Sequence, residues 1–334
     1  MIPLIELHHV FMNFPVKGGK TMQAAHDVSL QISPGDMIAV VGESGCGKST
    51  LGKICLGVQK PSRGAVFYNG TYIWDSDFRM PTDLRCAVQV VHQDSFASLN
   101  PVKTVFDTLS APLYHYRMAV DANEAEEKVH ELLRMVELTP TEFFINKYPF
   151  QLSGGQRQRV SIARATILKP QVIIADEPVS AVDASLRLSL LDLMKRLNVE
   201  NNIAFLYITH DLATARYFAP KGQMIVMYLG RMIERGIIDD CVTRPGHPYL
   251  QALISAIPAS DPKRAKEKVE LPLKSFDMPS AVNPPLGCVF HPRCKFSDDI
   301  CEKEIPELLP LKDEPARRIA CHFRETIPRY QPRS

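Results

Sequence analysis

The order of apolar residues predicts a mixed α/β chain. Uninterrupted apolar runs over 37–41 and 172–175 are typical of buried parallel strands. Shorter alternating runs over 4–7 and 28–32 indicate an antiparallel β-subdomain near the N-terminus. Residues 224–236 predict a strand, a turn and a second strand.

The pattern becomes helical between about residues 102 and 138. Apolar side chains there recur at the spacing i, i+3, i+4, i+7, which places them on one helix face. These positions are Val129, Leu132, Leu133 and Val136. We therefore expect an α-helical subdomain over about residues 95–168.

A change of composition divides the chain near its end. Residues 259–286 contain several prolines and a basic cluster at 263–266, as expected for a linker. A compact tail follows. We predict a larger N-terminal domain over 1–258 and a C-terminal extension over 259–334.

Composition limits the possible functions. A chain of 334 residues accommodates a large α/β core and a smaller module. The formal net charge of +2 is too small to indicate a nucleic-acid partner. No window approaches the roughly 18 consecutive apolar residues of a membrane span, and the N-terminus does not resemble a signal peptide. We expect a cytoplasmic chain that reaches a membrane only through partners.

The most informative motif follows the apolar run 37–41. Its residues read G-x-x-x-x-G-K-S and comprise Gly42, Glu43, Ser44, Gly45, Cys46, Gly47, Lys48 and Ser49, with Thr50 next. Glycines let backbone N–H groups surround phosphate oxygens, and a helix N-terminus adds partial positive charge. Lys48 would reach the β- and γ-phosphates, and Ser49 would bind Mg²⁺. The motif predicts a nucleoside triphosphate site.

A second glycine pair opens another predicted helix. Ser153 occupies the N-cap position before Gly154 and Gly155, and Gln156 follows. Bare N–H groups at a helix N-terminus can bind an anion. Taken alone, the same letters also describe an ordinary capped turn.

Two carboxylates end the strand predicted at 172–175. Asp176 is suited to a Mg²⁺ site, and Glu177 is suited to a general base that orients the attacking water. Consecutive residues at a strand end point in different directions, so the two groups can have different roles.

These motifs, in this order, resemble those of the ATP-binding-cassette (ABC) ATPases. The resemblance includes a D-loop at 180–183 and a switch segment at 208–211. It implies a P-loop NTPase fold, the ABC nucleotide-binding domain, with a RecA-like core, an antiparallel β-subdomain and an α-helical subdomain. It also implies that two such domains pair head to tail. Ser153, Gly154, Gly155 and Gln156 of one subunit would then contact ATP bound to the other.

Three further site residues follow from the same resemblance. Gln93 matches the Q-loop glutamine that contacts Mg²⁺ or water, although the family's Gln-Asn-Pro is Gln-Asp-Ser here. His210 matches the switch histidine at the γ-phosphate; the alternative is a surface imidazole. Phe14 matches the aromatic residue that stacks on adenine, and the alternative is a core residue. Catalysis is assigned to Glu177, His210, Lys48 and Gln93.

Four cysteines cluster in the tail: Cys288, Cys294, Cys301 and Cys321. Disulfides are disfavoured in a cytosolic ATPase, so a metal group is indicated. Zinc knuckles with C-x₂₋₄-C spacing do not occur, and a [4Fe–4S] cluster tolerates the looser spacing better. Four unrelated buried thiols remain the alternative.

The C-terminal part narrows the resemblance. The segments 247–253 and 283–294 resemble the C-terminal extension of the oligopeptide/dipeptide importer ATPases, most closely the second of their two ATPase subunits. The resemblance implies a second ATPase, a sister subunit rather than another copy, two transmembrane permease subunits and an extracytoplasmic solute-binding protein. The chain would sit peripherally on the cytoplasmic face of the cell membrane. Some relatives hold an iron–sulfur cluster in the four-cysteine module.

Two alternatives remain open at this stage. The chain could drive import of another solute, such as nickel, an opine or an oligosaccharide. It could instead be a soluble ABC ATPase that acts on ribosomes or nucleic acid. Such proteins usually carry two cassettes or long coiled-coil insertions, and this sequence has one cassette and no sustained heptads.

Overall fold

The computed structural model describes residues 2–74, 82–257 and 273–328. The strands in these residues are β1 (Ile5–Pro15), β2 (Thr21–Ile32), β3 (Met37–Val41), β4 (Arg63–Tyr68), β5 (Thr71–Tyr72), β6 (Val88–Val91), β7 (Val172–Asp176), β8 (Ala204–Thr209), β9 (Gln223–Tyr228), β10 (Arg231–Ile237), β11 (Leu309–Pro310) and β12 (Arg318–Ile319). The α-helices are α1 (Lys48–Cys55), α2 (Thr82–Ala87), α3 (Ser95–Ser98), α4 (Val105–His115), α5 (Ala122–Met135), α6 (Glu142–Ile145), α7 (Gly154–Thr166), α8 (Ala184–Asn201), α9 (Leu212–Phe218), α10 (Ile238–Thr243), α11 (Pro248–Ser255) and α12 (Asp299–Lys303).

The described residues form two compact units. Unit 1 comprises residues 2–4, 32–36, 68–74 and 82–208. Unit 2 comprises residues 5–31, 37–67, 209–257 and 273–328.

Unit 1 contains a parallel sheet in the order β8, β7, β6. The central strand β7 is buried from Val172 to Ala175, which explains its continuous apolar sequence. Val91 pairs with Ala175 and Asp176 pairs with Ile208, so the carboxyl ends of these strands lie along one edge. The buried parallel strand predicted at 172–175 is confirmed.

The helices of unit 1 include α3 to α7, within the range predicted for a helical subdomain. Helix α5 buries Ala125, Val129 and Leu133 on one face, as its spacing predicted. The side chain of Asp121 caps α5 by accepting a hydrogen bond from the Glu124 N–H at 2.8 Å. Helices α4, α5 and α7 pack against one another through such apolar faces.

Unit 2 contains a sheet in the order β11, β12, β10, β9, β3. Strands β3 and β9 are parallel, whereas the other neighbours are antiparallel. The predicted strand, turn and strand over 224–236 correspond to β9 and β10. Strands β2, β1 and β4 are neighbours in a second sheet, and β1 and β2 contain the alternating runs predicted near the N-terminus.

The C-terminal segment, residues 273–328, has little regular structure. Helix α12 has five residues, and strands β11 and β12 have two each. Residues 274–286 form neither helix nor strand. The predicted domain boundary at 258/259 lies outside the described residues. In the part of the chain that the structure describes, no helix is long and apolar enough to cross a bilayer.

Candidate functional site

The phosphate-binding motif of unit 2 forms the turn between β3 and α1. Backbone packing explains two of its glycines. A Cβ on Gly42 would lie 2.2 Å from the Met227 carbonyl oxygen, and one on Gly47 would lie 2.0 Å from that of Ala24. Gly47 also caps α1 with a φ of 106°, which side chains rarely permit. The loop therefore packs closely on its inner side, while Ser44, Gly45 and Ser49 are exposed.

Lys48 is folded over this loop. Its Nζ donates to the Gly42 carbonyl at 2.7 Å and to the Glu43 carbonyl at 3.0 Å. Cys46 is 1% exposed, and burial raises the pKa of its thiol, so the group fills space as a neutral side chain. The Lys48 ammonium is thus held at the first two residues of the loop, and Lys48 is buried. Thr50, next in α1, is half-buried.

The other predicted site residues of unit 2 are Phe14 and His210. Phe14 is half-buried near the end of β1. His210 is exposed and directly precedes Asp211, whose side chain caps α9 by accepting from the Ala213 and Thr214 N–H groups at 2.9 and 3.2 Å. The end of β8 and the capped start of α9 thus flank His210.

Three predicted residues of unit 1 lie at the carboxyl edge of its parallel sheet. Asp176 ends β7 and Glu177 follows it, while Gln93 lies two residues beyond β6. Glu177 has a φ of 46°, unusual for a non-glycine residue, and its N–H donates to the Ile208 carbonyl at 2.9 Å. Strain of this kind persists where the surroundings impose it, which is common at active sites.

The Gln-Asp-Ser variant of the Q-loop has a structural explanation. The side chain of Asp94 caps α3 by accepting from the Phe96 and Ala97 N–H groups at 2.9 and 3.0 Å. Gln93 precedes this cap and is exposed. The helix start thus defines the backbone after Gln93 in the absence of the family's proline.

The segment Ser153–Gln156 begins α7 with a capping box. The Ser153 hydroxyl accepts from the Gln156 N–H at 3.3 Å, and the Gln156 side-chain oxygen accepts from the Ser153 N–H at 2.9 Å. The predicted N-cap role of Ser153 is confirmed. Gly155 is buried, and a Cβ there would lie 3.0 Å from Leu186 Cδ1, whereas a Cβ on Gly154 would meet only a distant carbonyl.

The four tail cysteines lie in unit 2 and line one small cavity. Each is at most 8% exposed. The cavity has a volume of about 10 Å³, close to the space of one water molecule, and Phe290, Phe296 and Phe323 also line it. The Cys288 N–H donates to the Cys301 carbonyl at 2.8 Å, which joins two of the cysteine-bearing turns.

Four cysteine sulfurs are ligands that a thiophilic metal group accepts, but only as thiolates. Burial raises the pKa of Cys288 and Cys294 to about 11 and that of Cys321 to about 12, so these thiols are protonated without a metal. In the described ranges, no three His, Cys, Asp or Glu side chains have the arrangement of a metal site. The structure therefore brings the cysteines together without forming a metal centre.

Known proteins resemble this chain along its length. The family model described as ABC transporter matches residues 25–180, and the one described as oligopeptide/dipeptide transporter, C-terminal region, matches residues 233–301. The oligopeptide transport ATP-binding protein AppF of Bacillus subtilis (strain 168) is 40% identical over 327 residues, which cover 96% of this chain and 97% of AppF. The chain belongs to the ATP-binding proteins of the oligopeptide/dipeptide ABC transporter family.

Other members of this family give the same result. The dipeptide transport ATP-binding protein DppF of Escherichia coli (strain K12) is 38% identical over 324 residues, covering 96% of this chain and 94% of DppF. A solved structure described as a dimeric post-hydrolysis state of the ATP-binding cassette MJ0796 bound to ADP and Pi is 32% identical, with a TM-score of 0.62. The aligned residues cover 70% of this chain and 98% of the MJ0796 chain. The chain therefore has the ABC nucleotide-binding fold and is an ATPase.

Sequence reasoning missed two residues of this ATPase that contact the phosphate-binding loop. The Tyr249 hydroxyl accepts from the Glu43 N–H at 2.8 Å, and Arg293 forms an ion pair with the Glu43 carboxylate. Both lie more than 200 positions from Glu43, in segments whose only recognisable feature in the sequence is their family resemblance. The one available signal was an arginine directly before Cys294, close to the apolar residues Val289 and Phe290.

Proposed function

We propose that this ATPase drives the import of dipeptides or oligopeptides across a cell membrane. The names of AppF and DppF describe peptide transport, and the alignments extend through the C-terminal part of the chain. A permease pair, an extracytoplasmic solute-binding protein and a second ATPase subunit would complete the transporter. The chain would bind to the cytoplasmic face through the permeases.

The nucleotide site would be built around the phosphate-binding loop. The loop 42–50 would surround the phosphates, and Phe14 would stack on adenine. Ser49, Gln93 and Asp176 would hold Mg²⁺, which supplies charge neutralisation at the phosphates when bound. Hydroxyl, amide and carboxylate oxygens are the ligands this ion prefers.

The observation that carries the proposed chemistry is the backbone of Glu177. A left-handed conformation at a carboxylate directly beyond the buried strand β7 is costly and needs a reason. We assign Glu177 as the general base that accepts a proton from water during attack on the γ-phosphate. Lys48 and His210 would stabilise negative charge on the transferring oxygens.

Two ATPase subunits would act as a head-to-tail pair. Gly154 and Gly155 begin α7 with N–H groups that can bind an anion. Together with Ser153 and Gln156 they would contact the nucleotide of the partner. A sister subunit is the proposed partner. ATP would close the pair, and hydrolysis would release it, which couples the cycle to the permeases.

The four cysteines would hold a [4Fe–4S] cluster, with zinc as the less favoured occupant, after the cysteine turns move apart, because the cavity between them is too small for a cluster as it stands. Support comes from four buried thiols that face one cavity with aromatic walls. The cluster would supply a covalent cross-link for a Cys-rich extension that lacks a large core of its own. The four cysteine thiols would lose their protons when the cluster binds.

Glu177→Gln tests the catalytic assignment. The variant should bind ATP as tightly as the wild type and hydrolyse it at least about 100-fold more slowly, because the side chain keeps its shape and loses its basicity. The exposed Glu200 on α8 provides the control Glu200→Gln, which should hydrolyse ATP normally. Turnover of Glu177→Gln within about threefold of the wild type would reject the assignment.

Peptide import is tested on the intact complex. The chain should co-purify with two polytopic permeases and a second ATPase, and vesicles containing them should accumulate labelled peptide only with ATP and the binding protein. If the vesicles accumulate nickel, an opine or an oligosaccharide instead, the chain drives an importer but peptide is not its solute. Co-purification with ribosomes or nucleic acid would reject the importer.

A further inference from the structure

The C-terminal segment contacts the phosphate-binding loop through one arginine. The two terminal nitrogens of Arg293 donate to the two carboxylate oxygens of Glu43 at 2.8 and 3.1 Å. This bidentate pair joins residues 250 positions apart within unit 2. The Arg293 side chain is 7% exposed and that of Glu43 is 27% exposed, so solvent screens the pair only in part.

Aromatic side chains hold the arginine in place. The guanidinium carbon lies 5.8 Å from the ring centroids of both Tyr228 and Phe290, and the Tyr228 hydroxyl is 3.4 Å from the guanidinium. The ion pair and the Tyr228 hydroxyl raise the pKa of Arg293 although burial opposes this, so the group stays charged. Lysine in this position would lose the planar, two-pronged geometry.

Glu43 connects this contact to the lysine of the loop. Its carboxylate is held by Arg293, its N–H by the Tyr249 hydroxyl at 2.8 Å, and its carbonyl accepts from the Lys48 ammonium. The carboxylate and the N–H of Glu43 thus bond to side chains outside the loop, and its carbonyl bonds to Lys48 within the loop. A displacement of Glu43 would therefore move the carbonyl that accepts from Lys48.

The other end of the contact lies among the tail cysteines. Arg293 ends the 3-10 helix His291–Arg293 and directly precedes Cys294. The Arg293 carbonyl accepts from the Lys274 N–H at 2.9 Å, and the His291 N–H donates to the Cys288 carbonyl at 2.9 Å. The backbone that carries the arginine is therefore fixed by the cysteine turns.

We propose that Arg293 is a positioning residue for ATP binding, through which the C-terminal segment holds the phosphate-binding loop in its productive shape. The proposal rests on the proposed binding of ATP at residues 42–50. It does not depend on the transported solute or on the occupant of the cysteine cavity.

The test measures the dissociation constant of a fluorescent ATP analogue, trinitrophenyl-ATP, on the full chain. Arg293→Met should weaken binding about tenfold, because a small displacement of the loop is costly at a phosphate site. Arg293→Lys should recover part of the loss, since it keeps the charge. Glu43→Gln should weaken binding to a similar degree.

A double variant tests whether Arg293 acts through Glu43, and a control variant tests for general loosening of the C-terminal segment. In a Glu43→Gln background, Arg293→Met should weaken binding by less than about twofold, because both changes break the same contact. Arg244→Met is the control: Arg244 pairs with Glu314 of the same segment at 2.8 Å but makes no contact with the loop. Its affinity for the analogue should match the wild type.

Two results would overturn the inference. One is an affinity of Arg293→Met within twofold of the wild type. The other is an undiminished loss in the Glu43→Gln background. If Arg293→Met does not fold, Arg293→Lys can take its place. The two single variants Arg293→Lys and Glu43→Gln and their double variant then form the same double-mutant cycle. Failure of the wild type to bind the analogue would reject the ATP site itself.

Discussion

The phosphate-binding loop and the C-terminal segment are held in place by different forces. The loop joins a strand to a helix, and two of its glycines, Gly42 and Gly47, pack directly on neighbouring backbone. The C-terminal segment has short elements only, and distant side chains fix it. Arg317 donates to the buried Glu234 carboxylate, Arg293 pairs with Glu43, and Arg244 pairs with Glu314.

This difference determines how each region should fail. Where a glycine packs directly on neighbouring backbone, no added side-chain atom is tolerated, whatever its polarity. A region held by ion pairs tolerates changes in shape but not the loss of one partner of a buried pair. Substitutions of each kind should therefore have separable effects on stability.

The largest effect is expected from Gly47→Ala. The added methyl group would lie 2.0 Å from the Ala24 carbonyl oxygen, at a residue with a φ of 106°. We expect the free energy of unfolding to fall by at least about 4 kcal/mol. Gly45→Ala is the control, because its φ is 78° but nothing lies within 4 Å of a Cβ there, and it should cost about 1–2 kcal/mol. Equal losses in urea unfolding would contradict steric control of the loop.

Next in size is Arg317→Met. Glu234 is 0% exposed and would remain as a buried carboxylate without its cation. We expect a loss of about 3–4 kcal/mol in the free energy of unfolding. The double variant Glu234→Gln/Arg317→Met should recover part of this loss, since no unpaired charge remains. A double variant less stable than Arg317→Met would show that the charge is not the cause.

A smaller, pH-dependent effect is expected at His247. Burial lowers its pKa to about 3 from an ordinary 6.5, and its Nδ1 accepts from the Tyr249 N–H at 3.0 Å. Between these two values the unfolded chain binds a proton that the folded chain does not, so stability falls as the pH falls from about 6.5. The slope approaches about 1.4 kcal/mol per pH unit.

His247→Asn should remove that contribution. The amide oxygen can replace Nδ1 as the helix cap but does not titrate. Urea unfolding of both proteins at pH 7, 6 and 5 gives the difference in slope. Parallel profiles for the variant and the wild type would show that His247 does not cause the acid sensitivity.

The smallest effect is expected from Arg244→Gln. The Arg244 side chain is 48% exposed, so water competes for its contact with Glu314. We expect a change of at most about 0.5 kcal/mol in the free energy of unfolding, which salt should reduce further. If Arg244→Gln lowers the free energy of unfolding as much as Arg317→Met does, burial does not determine how strongly these ion pairs stabilise the fold.

Local patterns explain why the elements of the core were predictable. Strands β3 and β7 are continuous apolar runs, and helix α5 carries its apolar residues at helical spacing. The glycines of the predicted phosphate-binding motif were recognisable because that motif needs them at fixed intervals. The cap at Ser153 was predicted from three adjacent residues.

Long-range pairs explain what could not be predicted. Arg293 and Glu43 are 250 positions apart, and Arg317 and Glu234 are 83 apart. Each residue alone resembles an ordinary surface charge in the sequence, and only the fold brings the partners together. Likewise, spacing alone indicated a cysteine cluster but did not give the aromatic walls of its cavity.

The strand order at the end of the unit 2 sheet has a consequence for solubility. Strand β10 has seven residues, and β12 pairs with it at Glu234 and Arg235, while β11 covers β12. The outermost strand then has two residues, one of them Pro310, which has no N–H to offer. A truncated chain without residues 309–319 would present β10 as a template for intermolecular strand addition, so we expect such a product to aggregate.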